Sequence, residues 1–192
     1  MNRLTDFFLS LIFFLMLLPL MLVISILIKF DSRGPVFFIS TRVGQNNQKF
    51  KMIKFRTMYI NTELIESAKL KDPSSKVTKL GKIMRKLSID EIPQFFNVLN
   101  NDMSIVGPRP LPEINEKKIN KNLRIKRRKV PPGITGMSQG NYTGKYRKLE
   151  DKVKLDVSFI DNYSLFIYFK ILLRTPIVLI IRLLKNKSSI IK

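Results

Sequence analysis

The longest apolar run lies near the start of the chain. From Phe7 to Ile28 (FFLSLIFFLMLLPLMLVISILI) no charged residue interrupts it. As a straight helix it would reach roughly 33 Å, about the hydrocarbon thickness of a bilayer. Arg3 is the only cation before the run, and IKFDSRGP after it offers no small-residue cleavage site. A cleaved signal peptide therefore fits poorly, and the segment is expected to stay in the membrane. Pro19, near its middle, has no N–H, and its ring would meet the carbonyl of Leu15. Two arrangements are open: a kinked helix that spans the bilayer, or a re-entrant helix-break-helix that enters and leaves by one face. Lys29, Arg33, Arg42, Lys49 and Lys51 follow the run, which puts the rest of the chain on the cytoplasmic side.

A second apolar stretch, Leu165–Leu184, is interrupted by Lys170, Arg174 and Arg182. A cation at the centre of a spanning helix costs roughly 2.5–3.5 kcal/mol on insertion scales. Lys170 and Arg174 fall on one helical face, which suits a helix lying in the interface with its cations among the headgroups. An ordinary core helix with a basic rim is the alternative. Pro176 is expected to kink or divide it.

Between these ends the pattern changes period. Val36–Val43 and Gln48–Met58 are rich in β-branched and aromatic residues, separated by Gly-Gln-Asn-Asn, and predict a β-hairpin. Near its end, Lys54 and Arg56 share the face opposite Phe55. Asn61–Lys71 reads as a short polar helix, Asp72–Ser75 as a loop, and Lys79–Leu87 as a basic helix. Ser88-Ile89-Asp90-Glu91 has the form of a capping box. Pro93 disturbs that reading, because it would fall inside the first turn instead of at the first helical position. A helix starting at Pro93 would leave Asp90 and Glu91 projecting from the preceding turn, beside free N–H groups that attract phosphate. Lys117–Lys129 is dense in Lys and Arg with no acid, either a solvated charge run or a contact for anionic lipid. Pro131–Gly136 is turn-rich and suits a binding loop.

Composition narrows the chemistry. The 192 residues suffice for one domain with a core. There is no histidine and no cysteine, which removes Ser-His-Asp and Cys-His catalysis, disulfides and the usual zinc sites. With 35 Lys+Arg against 14 Asp+Glu the formal charge is +21. Part of that excess is the Lys-, Asn- and Ile-rich bias typical of AT-rich genomes; the rest calls for polyanionic company. An adjacent acid pair, Asp90–Glu91, in so basic a chain, with Arg109 bracketed by prolines downstream, is the pattern that metal-assisted phosphate chemistry needs.

Four ordered segments carry a resemblance: RVGQNNQKFKMIKFRTM (42–58), KLSIDEIPQFFNVLNNDMSIVGPRP (86–110), PPGITGMSQGN (131–141) and LEDKVKLDVSFIDNYSLFIYFKILLRT (149–175). They resemble the bacterial sugar transferase family, in its small monotopic phosphoglycosyl transferase (PglC-like) form. The resemblance implies transfer of a sugar 1-phosphate from a UDP-sugar to undecaprenyl phosphate, with release of UMP, as the first membrane step of bacterial glycoconjugate assembly. It implies Mg²⁺ as cofactor and a two-step covalent route. Asp90 would be the nucleophile and a metal ligand, and Glu91 would position or deprotonate the acceptor. Arg109, Lys54 and Arg56 would clamp phosphate oxygens, with Gln139, Lys145 and Arg147 as further substrate contacts. Asp156 matches another recurring acid of the family without a clear role.

The resemblance also implies a fold: mixed α/β, mainly helical, a monotopic membrane protein with an N-terminal re-entrant helix, a small β-hairpin and amphipathic interfacial helices. Residues 1–30 would form the re-entrant helix broken at Pro19, and 31–192 a catalytic domain on the cytoplasmic face of the inner membrane. Implied partners are the UDP-sugar, undecaprenyl phosphate, membrane lipid and downstream glycosyltransferases; no nucleic acid is expected. Relatives usually carry Ser-Pro at the break where this chain has Leu18-Pro19. Many read PGITGWAQVNGRN where it has PGITGMSQGNYTGKYR, so sugar identity does not transfer. The rival reading is a basic, membrane-anchored protein without catalysis that binds anionic lipid or nucleic acid. It accounts for the charge and the apolar ends but not for Asp90–Glu91 beside Arg109.

Overall fold

The computed structural model describes residues 2–60, 75–140 and 148–188. Among these the fold is mainly helical with two small sheets. The predicted helix at Asn61–Lys71 and most of the loop after it lie outside the described residues, as do Lys145 and Arg147.

Helix α1 spans Arg3–Asp31, capped by Asn2, whose side chain accepts from the Thr5 amide. Its helical assignment runs unbroken through Pro19, so the expected break is not an unwound segment. Proline removes one donor and crowds one carbonyl, which a long apolar helix tolerates by bending. Among the described residues it is the one helix long and apolar enough to cross a membrane, by length and composition. Yet both ends are fastened to the rest of the chain. At the N-terminal end, buried Asp6 accepts from the Ile105 amide (3.0 Å), Ser104 Oγ (2.8 Å) and Tyr168 OH (2.7 Å), while Arg3 donates to the carbonyls of Met103 and Asn101. At the other end Met21, Ile24 and Ile28 pack with Phe55 and Met84.

The hairpin forms as predicted. Strand β1 (Phe37–Val43) pairs antiparallel with β2 (Lys49–Phe55), and Asn46 and Asn47 take up positive φ in the connection. The register sets Phe38 opposite Lys54, Ser40 opposite Met52 and Arg42 opposite Phe50, so these six share one face. Helix α2 (Lys79–Leu87) starts at Thr78, whose hydroxyl accepts from the Gly81 amide. Helix α3 is Gln94–Leu99. Asn97 on α3 acts as a strand partner for the free edge of β2: its Oδ1 accepts from Ile53 N–H (3.0 Å) and its Nδ2 donates to Lys51 O (2.8 Å).

Strand β3 (Ser104–Val106) pairs in parallel with β4 (Gly133–Thr135), so the predicted Pro131–Gly136 binding loop is in part a strand. The pairing needs glycine: a Cβ on Gly133 would lie 2.1 Å from the Gly107 nitrogen. Four further helices follow in chain order around these strands: α4 (Glu113–Glu116), α5 (Lys121–Arg127), α6 (Met137–Gly140) and α7 (Leu149–Asp161). Helix α8 (Leu165–Ser188) passes Pro176 without dividing, and Lys170 and Arg174 are both exposed on it, which suits an interfacial helix and a core helix with a basic rim alike. The central core joins Phe50, Met52, Val98, Met103, Ile105, Phe159 and Tyr168. The Lys117–Lys129 run is not uniformly solvated, because Arg127 is only 4% exposed.

Candidate active site

A cavity of about 530 Å³ opens between the hairpin, the α2–α3 turn, β4 and the middle of α8. Asp90 and Glu91 border it from a single 3₁₀ turn, Ile89–Glu91. The capping box does not form. Ser88 instead closes α2 in the left-handed region (φ 57°), its backbone N–H bonding to Arg85 and Met84 carbonyls, and makes no side-chain cap. Such a conformation is costly without glycine and is typical of functional turns. The helix that follows begins just past Pro93, so the two acids project from the turn before it.

The carboxylates face different surroundings. Glu91 Oε1 accepts from Lys54 Nζ at 2.5 Å and from Arg109 Nη2 at 3.2 Å. Burial alone would raise its carboxyl, but Arg109, Lys54 and their hydrogen bonds outweigh that and hold it below the ordinary glutamate range. Asp90 takes no part in those ion pairs. Burial pushes its carboxyl above the ordinary aspartate range; the neighbouring Glu91 charge adds to this, and Lys54 and Arg85 offset it only in part. Both acids border the cavity, but one is committed to cations while the other is outside those pairs.

Among the described residues, four cations border the cavity: Arg42, Lys54, Arg85 and Arg109. Arg42 and Arg85 were not among the sequence candidates. Arg42 reaches the site because hairpin register puts it on the Lys54 face. Arg85 sits in the last turn of α2, its Nε on Thr57 Oγ1 at 2.8 Å. Gln139 also borders the cavity; its Nε2 donates to Ile134 O while its Oε1 is buried without a hydrogen-bond partner among the described residues. Thr135 and Thr175, hydroxyls 2.8 Å apart, join β4 to α8 at the cavity wall.

Arg56 is a correction. It is 2% exposed and lies away from the cavity, its guanidinium donating to the carbonyls of Arg33 and Ser32 (both 2.7 Å) and to Ser32 Oγ (3.0 Å). It closes the C-terminal end of α1, where orphan carbonyls attract a cation. Period two had put it with Lys54, but β2 ends at Phe55 and the chain turns away.

Asp156 acquires a place. It pairs with Arg127 (3.3 Å), which also bonds Glu116 and donates from Nη2 to the Arg109 carbonyl at 2.7 Å. Glu116, Arg127 and Asp156 are each at most 4% exposed. This triad fixes the backbone of Pro108-Arg109-Pro110 from beneath, so Arg127, buried within the charge run, positions Arg109.

No group of three or more His, Cys, Asp or Glu side chains that could cage a metal occurs among the described residues. Asp90, outside the Glu91 ion pairs, is the one carboxylate of the pair that would be open to a Mg²⁺ ion completed by phosphates, the usual mode for this cation.

Comparison with known proteins places the chain among relatives. A family model described as bacterial sugar transferase matches residues 1–182. The UDP-N-acetylgalactosamine-undecaprenyl-phosphate N-acetylgalactosaminephosphotransferase of Aeromonas hydrophila is 40% identical over 161 residues, 82% of this chain and 38% of that protein. The UDP-glucose:undecaprenyl-phosphate glucose-1-phosphate transferase of Klebsiella pneumoniae is 36% identical over 182 residues, 91% of this chain and 39% of that protein. An uncharacterized sugar transferase of Bacillus subtilis (strain 168) is 42% identical over 147 residues, 74% of this chain and 68% of that protein. The chain spans about two fifths of the length of the first two relatives. The cavity with its unequal acid pair and four cations therefore sits in a sequence matched almost end to end, and the chain belongs to the bacterial sugar transferase family.

Proposed function

We propose that the protein transfers a sugar 1-phosphate from a UDP-sugar to undecaprenyl phosphate in two steps. A carboxylate oxygen of Asp90 attacks the β-phosphorus; the bond from that phosphorus to the bridging oxygen breaks, and UMP leaves with the electron pair. The resulting acyl phosphate carries the sugar. An oxygen of undecaprenyl phosphate then attacks the same phosphorus, the Asp90 oxygen leaves as carboxylate, and undecaprenyl diphosphate sugar is formed. The observation that carries this reading is the division of labour in the acid pair: Glu91 engages Lys54 and Arg109, while Asp90 is left to face the cavity. Arg42, Lys54, Arg85 and Arg109 offset the charge that gathers on the phosphoryl group. Glu91, held in its ionised form, is a weak proton acceptor and acts by orienting its two cations. Asp90 would hold Mg²⁺ together with the donor, and the ion would supply charge neutralisation of the diphosphate.

The test is intact-protein mass spectrometry after incubation with a panel of UDP-sugars and no lipid acceptor. A phosphosugar adduct mapped to Asp90 is expected with the true donor, and EDTA is expected to suppress it. UMP release with no adduct under rapid quench would overturn the covalent route.

The membrane reading is part of the proposal. Residues 1–30 dip into the bilayer and return, and 31–192 lie on the cytoplasmic face of the inner membrane. Support comes from the two tethers of α1: Asp6 and Ile28 bind the same domain, whereas a spanning helix would carry one end roughly 30 Å away, across the hydrocarbon. Re-entry then rests on a bend at Pro19. Single cysteines at Asn2 and Ser32, in a chain that has none of its own, are expected to react with a membrane-impermeant maleimide from the same side. Labelling from opposite sides would rule the arrangement out.

A further inference from the structure

Two residues past the end of β2, Thr57 is 6% exposed and borders the main cavity. Its backbone is pinned to the chain that enters α2. Thr57 O accepts from Thr78 N–H (3.1 Å), Tyr59 N–H donates to Lys76 O (3.1 Å), and Met58 faces Val77 across an antiparallel bridge. The approach is close enough to need glycine. A Cβ on Gly81, in the first turn of α2, would lie 2.2 Å from the Thr57 oxygen.

Arg85 stands one turn beyond Gly81, on the same face of α2. A cation in the last turn of a helix suits the dipole whichever way its side chain points. Here the direction is set. Long helical side chains lean back toward the N-terminus, Gly81 leaves that face bare, and Arg85 Nε donates to Thr57 Oγ1 at 2.8 Å. Thr57 therefore grips α2 twice, by its carbonyl at the helix start and by its hydroxyl near the end.

Arg85 is in turn tied to the acid pair. Its carbonyl accepts from Ser88 N–H (3.3 Å), the residue that opens the Asp90 turn, and its charge favours the Asp90 carboxylate. The side chain is exposed on the cavity border. A free arginine at such a rim samples many rotamers, and ordering it during the reaction would cost entropy. A single bond from Nε holds the guanidinium plane and leaves both terminal nitrogens to meet an anion.

We propose that Thr57 is a positioning residue of the transfer: its hydroxyl fixes Arg85 at the cavity rim, with the terminal nitrogens of the guanidinium turned to the phosphoryl group that Asp90 receives. In this role Thr57 touches no substrate, and its effect passes through Arg85. The arginine is ordered on folding, so its charge is already in place when negative charge gathers on the phosphoryl oxygens. The proposal rests on the transferase reading above and names a residue for which the family resemblance implied no role.

Full-length variants in nanodiscs test it, with the panel of UDP-sugars as donors, undecaprenyl phosphate as acceptor and UMP release as the readout. Thr57→Val keeps the β-branch and deletes the hydroxyl. It is expected to lower kcat about tenfold and leave KM within about twofold of wild type. Thr57→Ser keeps the hydroxyl and is expected to retain most of the rate. Arg85→Gln is expected to cost about 10²-fold. Adding Thr57→Val to it is expected to cost nothing further, because the group through which Thr57 acts is gone. A purely structural role would carry its full loss into the double variant. Wild-type kcat in Thr57→Val, equal losses in Thr57→Val and Thr57→Ser, or additive losses in the double variant each overturn the proposal. Those outcomes leave the transferase reading standing, whereas a wild-type protein that releases UMP from no donor sinks that reading and this proposal with it.

Discussion

Asp90→Asn is expected to abolish sugar-phosphate transfer, with turnover falling by about 10⁴-fold or more, as removal of a covalent nucleophile does elsewhere. The same substitution is expected to leave the melting temperature unchanged or slightly raised. The sign follows from the direction of its shift. In the folded protein the Asp90 carboxyl is held above its ordinary value, chiefly by burial. Its ionised form is therefore less comfortable folded than unfolded, and the penalty is present at neutral pH and fades as pH falls through the ordinary aspartate value. A neutral amide of the same shape escapes that penalty. Product formation and thermal unfolding measured on one preparation check both halves. A variant that melts much lower would mean that Asp90 is a structural acid and that lost activity says nothing about chemistry.

Arg127→Met should show the opposite profile. Removing this guanidinium leaves buried Asp156 without its cation, leaves Glu116 only its pair with Arg128, and releases the Arg109 carbonyl. Breaking a buried ion pair by removing one partner costs about 3–5 kcal/mol, which for a chain of this size lowers the melting temperature by very roughly 6–20 °C. Burial already pushes Asp156 upward and Arg127 only offsets it, so in the variant Asp156 takes up a proton on folding. The deficit is expected to be full at neutral pH and to shrink as pH is lowered toward the carboxylate range. Unfolding curves at several pH values decide it. A deficit below about 1 kcal/mol, or one indifferent to pH, would mean the triad is not a coupled buried unit.

What could be seen in the sequence was local in character. The hairpin was visible because β-branched alternation and an Asn-rich connection are both short-range signals, and Asp90 and Glu91 stood out because acids are scarce in this chain. Pro93 was enough to cast doubt on the capping box, since proline's preferred helical position is a local rule. The misplacements came where a distant contact decided the outcome. Arg56 lies just past the end of the strand, where the carbonyls that follow α1 claim it. Arg127 is indistinguishable from its basic neighbours until Glu116 and Asp156 come from two other helices to enclose it. Arg42 required the hairpin register, and Thr175 required α8 to be laid against β4; neither relation is written in any short window.

The two tethers of α1 bear on what kind of membrane attachment this is. Many membrane enzymes carry an anchor that can be cut away, leaving a soluble catalyst. Here the N-terminal helix supplies the acid that satisfies Ser104, Ile105 and Tyr168, the carbonyls that hold Arg56, and half of the cluster around Phe55 and Met84. Excising it would unmake the floor on which β2 and the Asp90 turn rest. If α1 is seated in lipid as proposed, lipid and fold become one equilibrium, since whatever favours the seated helix also favours the assembled site. Under the proposed function, the same contacts would hold the Asp90 carboxylate at a fixed height over the bilayer, a useful constraint for an acid that would meet one water-soluble substrate and one confined to the plane of the membrane.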